Sequence, residues 1–420
     1  MDKHQSLVLQ QAAVNISVKT LGEDQIVAIN GPPGTGKTTL LRDMIATVLV
    51  ERAERMCGYD DPRKAFTDSG KKLKAGQGWL QIYNLAEELK NHGILIASSN
   101  NKAVENISTE LPNSLAISGD TNAEYFSMTA SNLFGFKCWG MIAAVLGNKA
   151  NRTQFIQNFW WDKEVGLSTY LSYICGIEQY IDIIDENTGK IIGHREPKII
   201  SCYQPPKKNH QMALNNWQKA RENFQQLLKK YHSKQKELSD IQDLFAKLDA
   251  LNYAHDRSEA VQAALNQHLE NKLNYLSMFF NTKFAHSWKK EYQSLLDQYA
   301  LLIKVEKYRK ELADHIIDDK LLNNYEKSQL TAPWYNSEMQ SLRNDLFISA
   351  MELHKAFIDV AAKPLRHNLV IFMQVLANPY SLGQTHKINN KGHLVFLLVS
   401  CAMRIDHICI HSKYVSANAA

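Results

Sequence analysis

With 420 residues, 45% of them hydrophobic and 22% charged, the chain can bury two or three globular cores, which excludes a disordered or low-complexity protein. Its 48 basic and 43 acidic residues leave a formal net charge of +5, which permits a polyanionic partner without demanding one. Six scattered cysteines (Cys57, Cys138, Cys175, Cys202, Cys401 and Cys409) form no C-x-x-C pair, which argues against a zinc cluster and for reduced thiols. The N-terminus has no apolar signal core, and the longest late apolar run, Leu394 to Met403, is about half of the ~20 residues a membrane span needs. The expectation is a cytoplasmic protein with no membrane partner.

In chain order, residues 1–23 carry a helical pattern through Leu7, Val14, Val18 and Leu21. Gln25 to Asn30 is a short apolar run that stops at Gly31, the pattern of a buried parallel strand. Helical spacing resumes from Lys37 to Met56 at Leu40, Leu41, Met44, Ile45, Val48 and Leu49. Residues 57–78, polar and rich in glycine and lysine, predict an exposed loop, and Trp79 to Lys90 an amphipathic helix. Gly93 to Ala97 reads as a second buried strand, followed by a polar burst from Ser98 to Lys102 and a new helix at Ala103. Strand, helix, strand, helix predicts an α/β core with a parallel sheet.

Residues 115–200 are mixed, with Phe134, Phe136, Trp139, Phe155, Phe159, Trp160 and Trp161 assigned to the core. Tyr180 to Ile200 alternates around Asn187-Thr188-Gly189, a hairpin signature. Lys207 to Tyr325 lacks glycine, and Trp217, Phe224, Leu228, Tyr231, Leu238 and Phe245 form a heptad-like seam with polar gaps. A break over 252–258 and a second helical stretch, Glu259 to Asn323, predict a coiled-coil hairpin, with an ordinary helical bundle as the alternative. Pro333-Trp334 marks the next boundary, followed by helices at Glu338 to Ala361 and Leu365 to Leu376. The expected division is a core segment over 1–205, a helical hairpin insertion over 206–330, and a helical segment over 331–420 that returns toward the core.

One stretch carries chemistry. GPPGTGKTTLL, Gly31 to Leu41, matches the P-loop pattern G-x-x-x-x-G-K-T. Glycines such as Gly34 and Gly36 let the backbone curl until successive N–H groups, Thr35 included, face one anion. The following helix adds its positive end beneath Lys37, Thr38 and Thr39. Lys37 would reach the β- and γ-phosphates of ATP, and the Thr38 hydroxyl would ligate Mg²⁺. Hydrolysis needs a further acidic group. The sole apolar-apolar-Asp-Glu run is Ile183-Ile184-Asp185-Glu186, and the alternation around it favours a charged hairpin turn over a buried strand end.

With its paired prolines, GPPGTGKTTLL resembles the Walker A motif of superfamily 1 helicases of the nonsense-decay type. Upstream, Gln10-Gln11-Ala12-Ala13-Val14 is similar to the family's glutamine motif, which implies that Gln10 reads the adenine edge. Downstream, ASSNNKAVEN, Ala97 to Asn106, resembles motif Ia. Small hydroxyl and amide side chains at a helix start suit phosphates and N-capping equally. The resemblance implies that Ser99, Asn100 and Asn101 touch the backbone of single-stranded DNA or RNA. Residues 139–155 and 337–358 look like a large bacterial branch of these helicases, in which a long helical insertion precedes the acidic motif II.

The family's Asp-Glu-Ala-Gln-like motif and its second RecA-like domain are not found in this sequence, so the sheet is expected to be incomplete and the chain to end inside the first motor domain. The fold expectation is therefore an incomplete α/β P-loop NTPase with a large α-helical coiled-coil insertion. The functional expectation is an ATP- and Mg²⁺-binding helicase-like part with weak hydrolysis. The alternative is a nucleotide-gated protein whose helical hairpin is a partner-binding arm.

Overall fold

A computed structural model describes residues 12–17, 26–31, 36–75, 78–90, 92, 94, 101–117, 123–146, 148–247, 253–270, 282–315 and 337–378. The chain divides into two compact units, Met1–Lys229 with Gln340–Ala420, and Lys230–Met339.

In the first unit, helix α1 (Lys37–Met56) buries Leu40, Ile45, Leu49, Ala53 and Met56 along one stripe, as its sequence spacing requires. It stops where the N–H groups of Cys57 and Gly58 turn back to the carbonyls of Ala53 and Arg55. Asp61 caps a 3₁₀ turn at Pro62–Ala65 by accepting from the Arg63 N–H.

Strands β1 (Phe66–Ala75) and β2 (Gly78–Leu85) then pair antiparallel, from Phe66 opposite Leu85 to Ala75 opposite Gly78. This corrects both the loop expected over 57–78 and the helix expected from Trp79; only α2 (Glu87–Lys90) remains helical. Tertiary contacts decide the outcome. Among the buried helices, α11 (Ser337–Val360) and α12 (Ala362–Ala377), the second packs on both strands. From it, Asn368 accepts the Tyr83 N–H at 3.0 Å and donates to the Tyr83 carbonyl at 2.9 Å, standing in for a third strand. At the base of the hairpin, Phe66 lies 6.1 Å from the Phe357 ring.

Among the described residues the apolar run at 26–30 joins no ladder, and Ile26 is 97% exposed, so the strand expected there is not seen. A buried parallel strand needs paired neighbours on both edges, and no described residue pairs with it. Its expected neighbour, Gly93 to Ala97, lies outside the described residues except for Ile94. Parallel pairing among the described residues is confined to a bridge between Tyr125 and Gly140. There the Tyr125 N–H reaches the Trp139 carbonyl at 3.1 Å, and the Met141 N–H reaches the Tyr125 carbonyl at 2.7 Å. The extended run 138–144 is buried throughout.

Beyond α3 (Asn101–Glu110) come α4 (Ser127–Phe134) and α5 (Lys149–Phe155). A π-helical turn at Ile156–Trp161 directs Phe159 and Trp160 inward and leaves Trp161 59% exposed, so Trp161 is not a core residue. After α6 (Leu167–Ile174), β3 (Ile181–Ile184) pairs with β4 (Ile191–Arg195), and α7 (Lys198–Tyr203) follows. Asp185 sits in the β3–β4 turn, where its Oδ1 accepts the N–H groups of Asn187 and Thr188, each at 2.8 Å.

Helix α8 (His210–Lys247) begins in the first unit, where the seam does not behave as a coiled coil. Trp217 and Phe224 are fully buried; Trp217 lies 5.8 Å from the Phe357 ring and donates through Nε1 to the Tyr59 carbonyl at 3.0 Å. Those seam residues face the globular core.

The second unit holds the rest of α8 with α9 (Tyr253–Glu270) and α10 (Thr282–His315), which pack on one another. Lys234 bridges Glu237 at 3.3 Å and Glu338 at 2.7 Å. Residues 248–252 lie outside the described residues, and α9 already runs from Tyr253, so 253–258 of the expected break is helical.

Candidate nucleotide site

The site grows from the start of α1. Gly36 precedes the helix with φ 74° and ψ 28°, a left-handed conformation that a Cβ would strain. Gly36 offers no side-chain cap, and the first turn carries no acid. The first helical bond shown runs from the Leu40 N–H to the Gly36 carbonyl at 3.1 Å. Helix geometry leaves the N–H groups of Thr38 and Thr39 without an acceptor inside the helix. A positive helix end whose own first turn holds no carboxylate suits an anion.

Lys37 is exposed, and its Nζ donates to the Gly31 carbonyl at 2.7 Å. The ammonium therefore folds back onto the first glycine of the motif. Thr38 and Thr39 are half-buried on the first turn. These residues fit a nucleoside triphosphate with Mg²⁺: a curled glycine, an open helix end, a lysine within reach of the loop and a hydroxyl beside it. Gln10, Gly34, Thr35, Ser99 and Asn100 lie outside the described residues, and Asn101 is the first residue of α3.

The structure adds partners that local sequence did not single out. Arg42 on α1 reaches Glu110 on α3 at 3.5 Å, joining the helix of the nucleotide motif to the helix after the ASSNN stretch. Glu110 is half exposed, so this pair orients more than it stabilises.

Beneath α1, the buried His354 of α11 lies with Nε2 3.1 Å from the Leu49 carbonyl. Burial pushes His354 down to about 3, with Arg52 adding repulsion. His92 falls to about 4, first through burial and then through Arg52 and Arg55. Both imidazoles are therefore neutral at pH 7, and His354 can donate its Nε2–H to Leu49.

A second buried group lies on α11, where Asp359 accepts from the Tyr170 hydroxyl at 2.7 Å. Burial lifts Asp359 to about 6 against the opposing pull of Tyr170 and Lys355. Lys355 lies over the Tyr203 ring at 4.3 Å, and burial lowers its affinity for its proton. No motif marks these residues, because 189 positions separate Tyr170 from Asp359 and 305 separate Leu49 from His354.

Residues 9–131 match a family model described as an AAA domain. The match spans the glutamine stretch, the P-loop and the ASSNN stretch, and it gives this part of the chain a P-loop NTPase fold. It takes in less than a third of the 420 residues. No curated protein and no solved structure matches the chain. Among the described residues, no helix is long and apolar enough to cross a membrane.

Proposed function

We propose that this chain is an ATP-binding, superfamily 1 helicase-like protein that acts on single-stranded nucleic acid and turns ATP over slowly by itself. The observation that supports this most is the start of α1: left-handed Gly36, an uncapped helix end and Lys37 bonded to Gly31, within the segment matched as an AAA domain. In this reading Lys37 exchanges the Gly31 carbonyl for the β- and γ-phosphate oxygens, and the Thr38 hydroxyl holds Mg²⁺. Gly34, Thr35, Gly36 and Thr39 line the phosphates with backbone N–H groups, and Gln10 reads the adenine edge. Ser99, Asn100 and Asn101 meet the strand's phosphates at the start of α3.

Slow turnover is supported by the placement of Asp185-Glu186. That run lies in an exposed hairpin turn, and Asp185 already accepts two N–H groups of its own turn. The free thiols of Cys57, Cys138, Cys175 and Cys202 favour a cytoplasmic setting.

The test measures ATP turnover with and without single-stranded DNA, alongside the unfolding midpoint with and without ATP-Mg²⁺. The expected result is a raised midpoint, lost in Lys37→Ala, with low turnover. Robust DNA-stimulated turnover abolished by Lys37→Ala would overturn the slow-turnover part. No midpoint shift in the wild type would overturn the whole.

A second reading makes the helical arm a partner-binding element gated by nucleotide. It is favoured by exposed apolar side chains on α9 and α10, at Leu269, Leu301 and Ile303. Replacing the second unit, residues 230–339, by a short linker separates the two: loss of a protein partner with nucleic-acid binding intact supports the second.

A further inference from the structure

The β1/β2 hairpin has a buried base and a bare outer half. At the base Phe66 and Leu85 are buried, and Tyr83 is held by the Asn368 amide and lies 5.7 Å from the His367 ring. Farther out, Lys74 pairs with Trp79 and Lys72 with Gln81, so these four side chains share one face of the ribbon. Leu73 and Leu80, the intervening pair, take the opposite, half-buried face.

Trp79 is 67% exposed, an unusual position for the largest aromatic side chain. Lys71, Lys72 and Lys74 are exposed beside it, and none forms an ion pair among the described residues. The nearest acid on the hairpin, Asp68, is engaged by the Gln81 amide and the Gly70 N–H. Arg63 is likewise engaged by Asp61. The outer half is therefore a cationic ribbon with an indole on the face of two of its lysines.

We propose that this hairpin is a second contact surface for single-stranded nucleic acid, with Lys71, Lys72 and Lys74 meeting phosphates and Trp79 stacking on a base. Lysines at i and i+2 of a strand stand about 6.6 Å apart, within the span of successive phosphates of an extended strand. The lysines alone fit any polyanion. The indole decides for a nucleic acid, because base stacking adds a term that an acidic peptide or a phosphate chain cannot supply. The hairpin is continuous with α1 through the turn at Asp61–Phe66, so the strand contact and the nucleotide helix belong to one run of chain. The proposal rests on the nucleic-acid half of the function proposed above and adds a site to it.

The test uses the full chain, fluorescein-labelled oligo(dT) and anisotropy across a salt series. Trp79→Ala is expected to weaken binding about 5- to 100-fold with an unchanged salt slope. The triple variant Lys71→Gln/Lys72→Gln/Lys74→Gln is expected to lower the slope by about 2, since each single-strand phosphate contributes about 0.7. All these side chains are exposed, so the unfolding midpoint and its shift by ATP-Mg²⁺ should stay as in the wild type.

Wild-type affinity in both variants overturns the hairpin site and leaves the proposed function standing. Wild-type protein that binds ATP-Mg²⁺ but no oligonucleotide overturns the hairpin site as well. A chain that binds oligo(dT) through Trp79 but shows no ATP shift supports the hairpin and removes the nucleotide reading. If Trp79→Ala changes nothing while the lysine variant loses oligo(dT) and inorganic polyphosphate equally, the patch is a generic polyanion surface and the proposal falls.

Discussion

The Nζ of Lys37 lies 2.7 Å from the carbonyl oxygen of Gly31, so the lysine of the nucleotide motif is held by the motif's first glycine. A phosphate that enters must displace that exposed hydrogen bond, whose net worth in water is small. Lys37→Ala should therefore barely move the unfolding midpoint without nucleotide. With ATP-Mg²⁺ at about 100 times its dissociation constant, the wild type should gain about 2.7 kcal/mol and the variant none. Calorimetric scans of both proteins check this, and an equal gain in the two would sink the assigned role.

His354 and His92 make stability depend on acid. Their folded values, about 3 and about 4, lie below the ordinary 6.5. The native state therefore resists protonation that the unfolded chain accepts. Their contribution is complete above pH 6.5 and is lost as pH falls from there toward 4 and then 3. For the buried His354 the loss at pH 5 is about 2 kcal/mol, and less for the half-buried His92. Urea titrations at pH 7.5 and 5.0 should show the drop, and His354→Gln should flatten it. A pH-independent midpoint over that range would contradict the assignment.

Asp359 works in the opposite direction. Its value rises from 3.8 to about 6, so the native state holds a proton that the unfolded chain releases between those limits. Stability declines as pH rises through that window. Asp359→Asn keeps an acceptor for the Tyr170 hydroxyl without a buried charge, and should stabilise the protein above pH 6 by about 1–3 kcal/mol, with the advantage gone near pH 4. Tyr170→Phe removes the donor and should cost about 1–3 kcal/mol. Unfolding of the three proteins at pH 4 and pH 7.5 decides the matter; a destabilised Asp359→Asn at pH 7.5 would mean that the Lys355 partnership outweighs burial.

Asn368 is a side chain doing a strand's work. Its amide bonds the backbone of Tyr83 twice, at 3.0 and 2.9 Å. Asn368→Ala should leave the Tyr83 N–H and carbonyl without that partner and cost about 1–3 kcal/mol. Hydrogen exchange at the Tyr83 amide should accelerate more than exchange in α1. Equal protection in both proteins would show that another group holds the strand.

Several features were legible in local residues. Lys37 to Met56 has its helix written in the spacing of Leu40, Ile45 and Leu49 and in Gly36 at its start, and the structure begins and ends that helix at the same residues. The β1/β2 hairpin was not legible. Its first strand, FTDSGKKLKA, has little apolar alternation, and what holds the pair in place comes from Asn368 and Phe357, almost 300 residues later. The heptad seam misled for a related reason: a three- and four-residue stripe on α8 states that one face is buried, but not against what. Trp217 chose Phe357, and Phe224 is fully buried as well.

The sequence by itself determined the nucleotide motif and the helix that carries it, because those depend on neighbours within a few positions: glycine conformations, a helix end and one lysine. Tertiary structure alone decided the long-range partners of buried polar groups and the pairing of β1 with β2. Leu49 with His354, Tyr170 with Asp359 and Tyr83 with Asn368 are brought together by packing of α11 and α12, whose apolar faces state that burial occurs but not which group will be met there. Short-range chemistry is written in adjacent letters, whereas a buried hydrogen bond exists only after the chain has closed on itself.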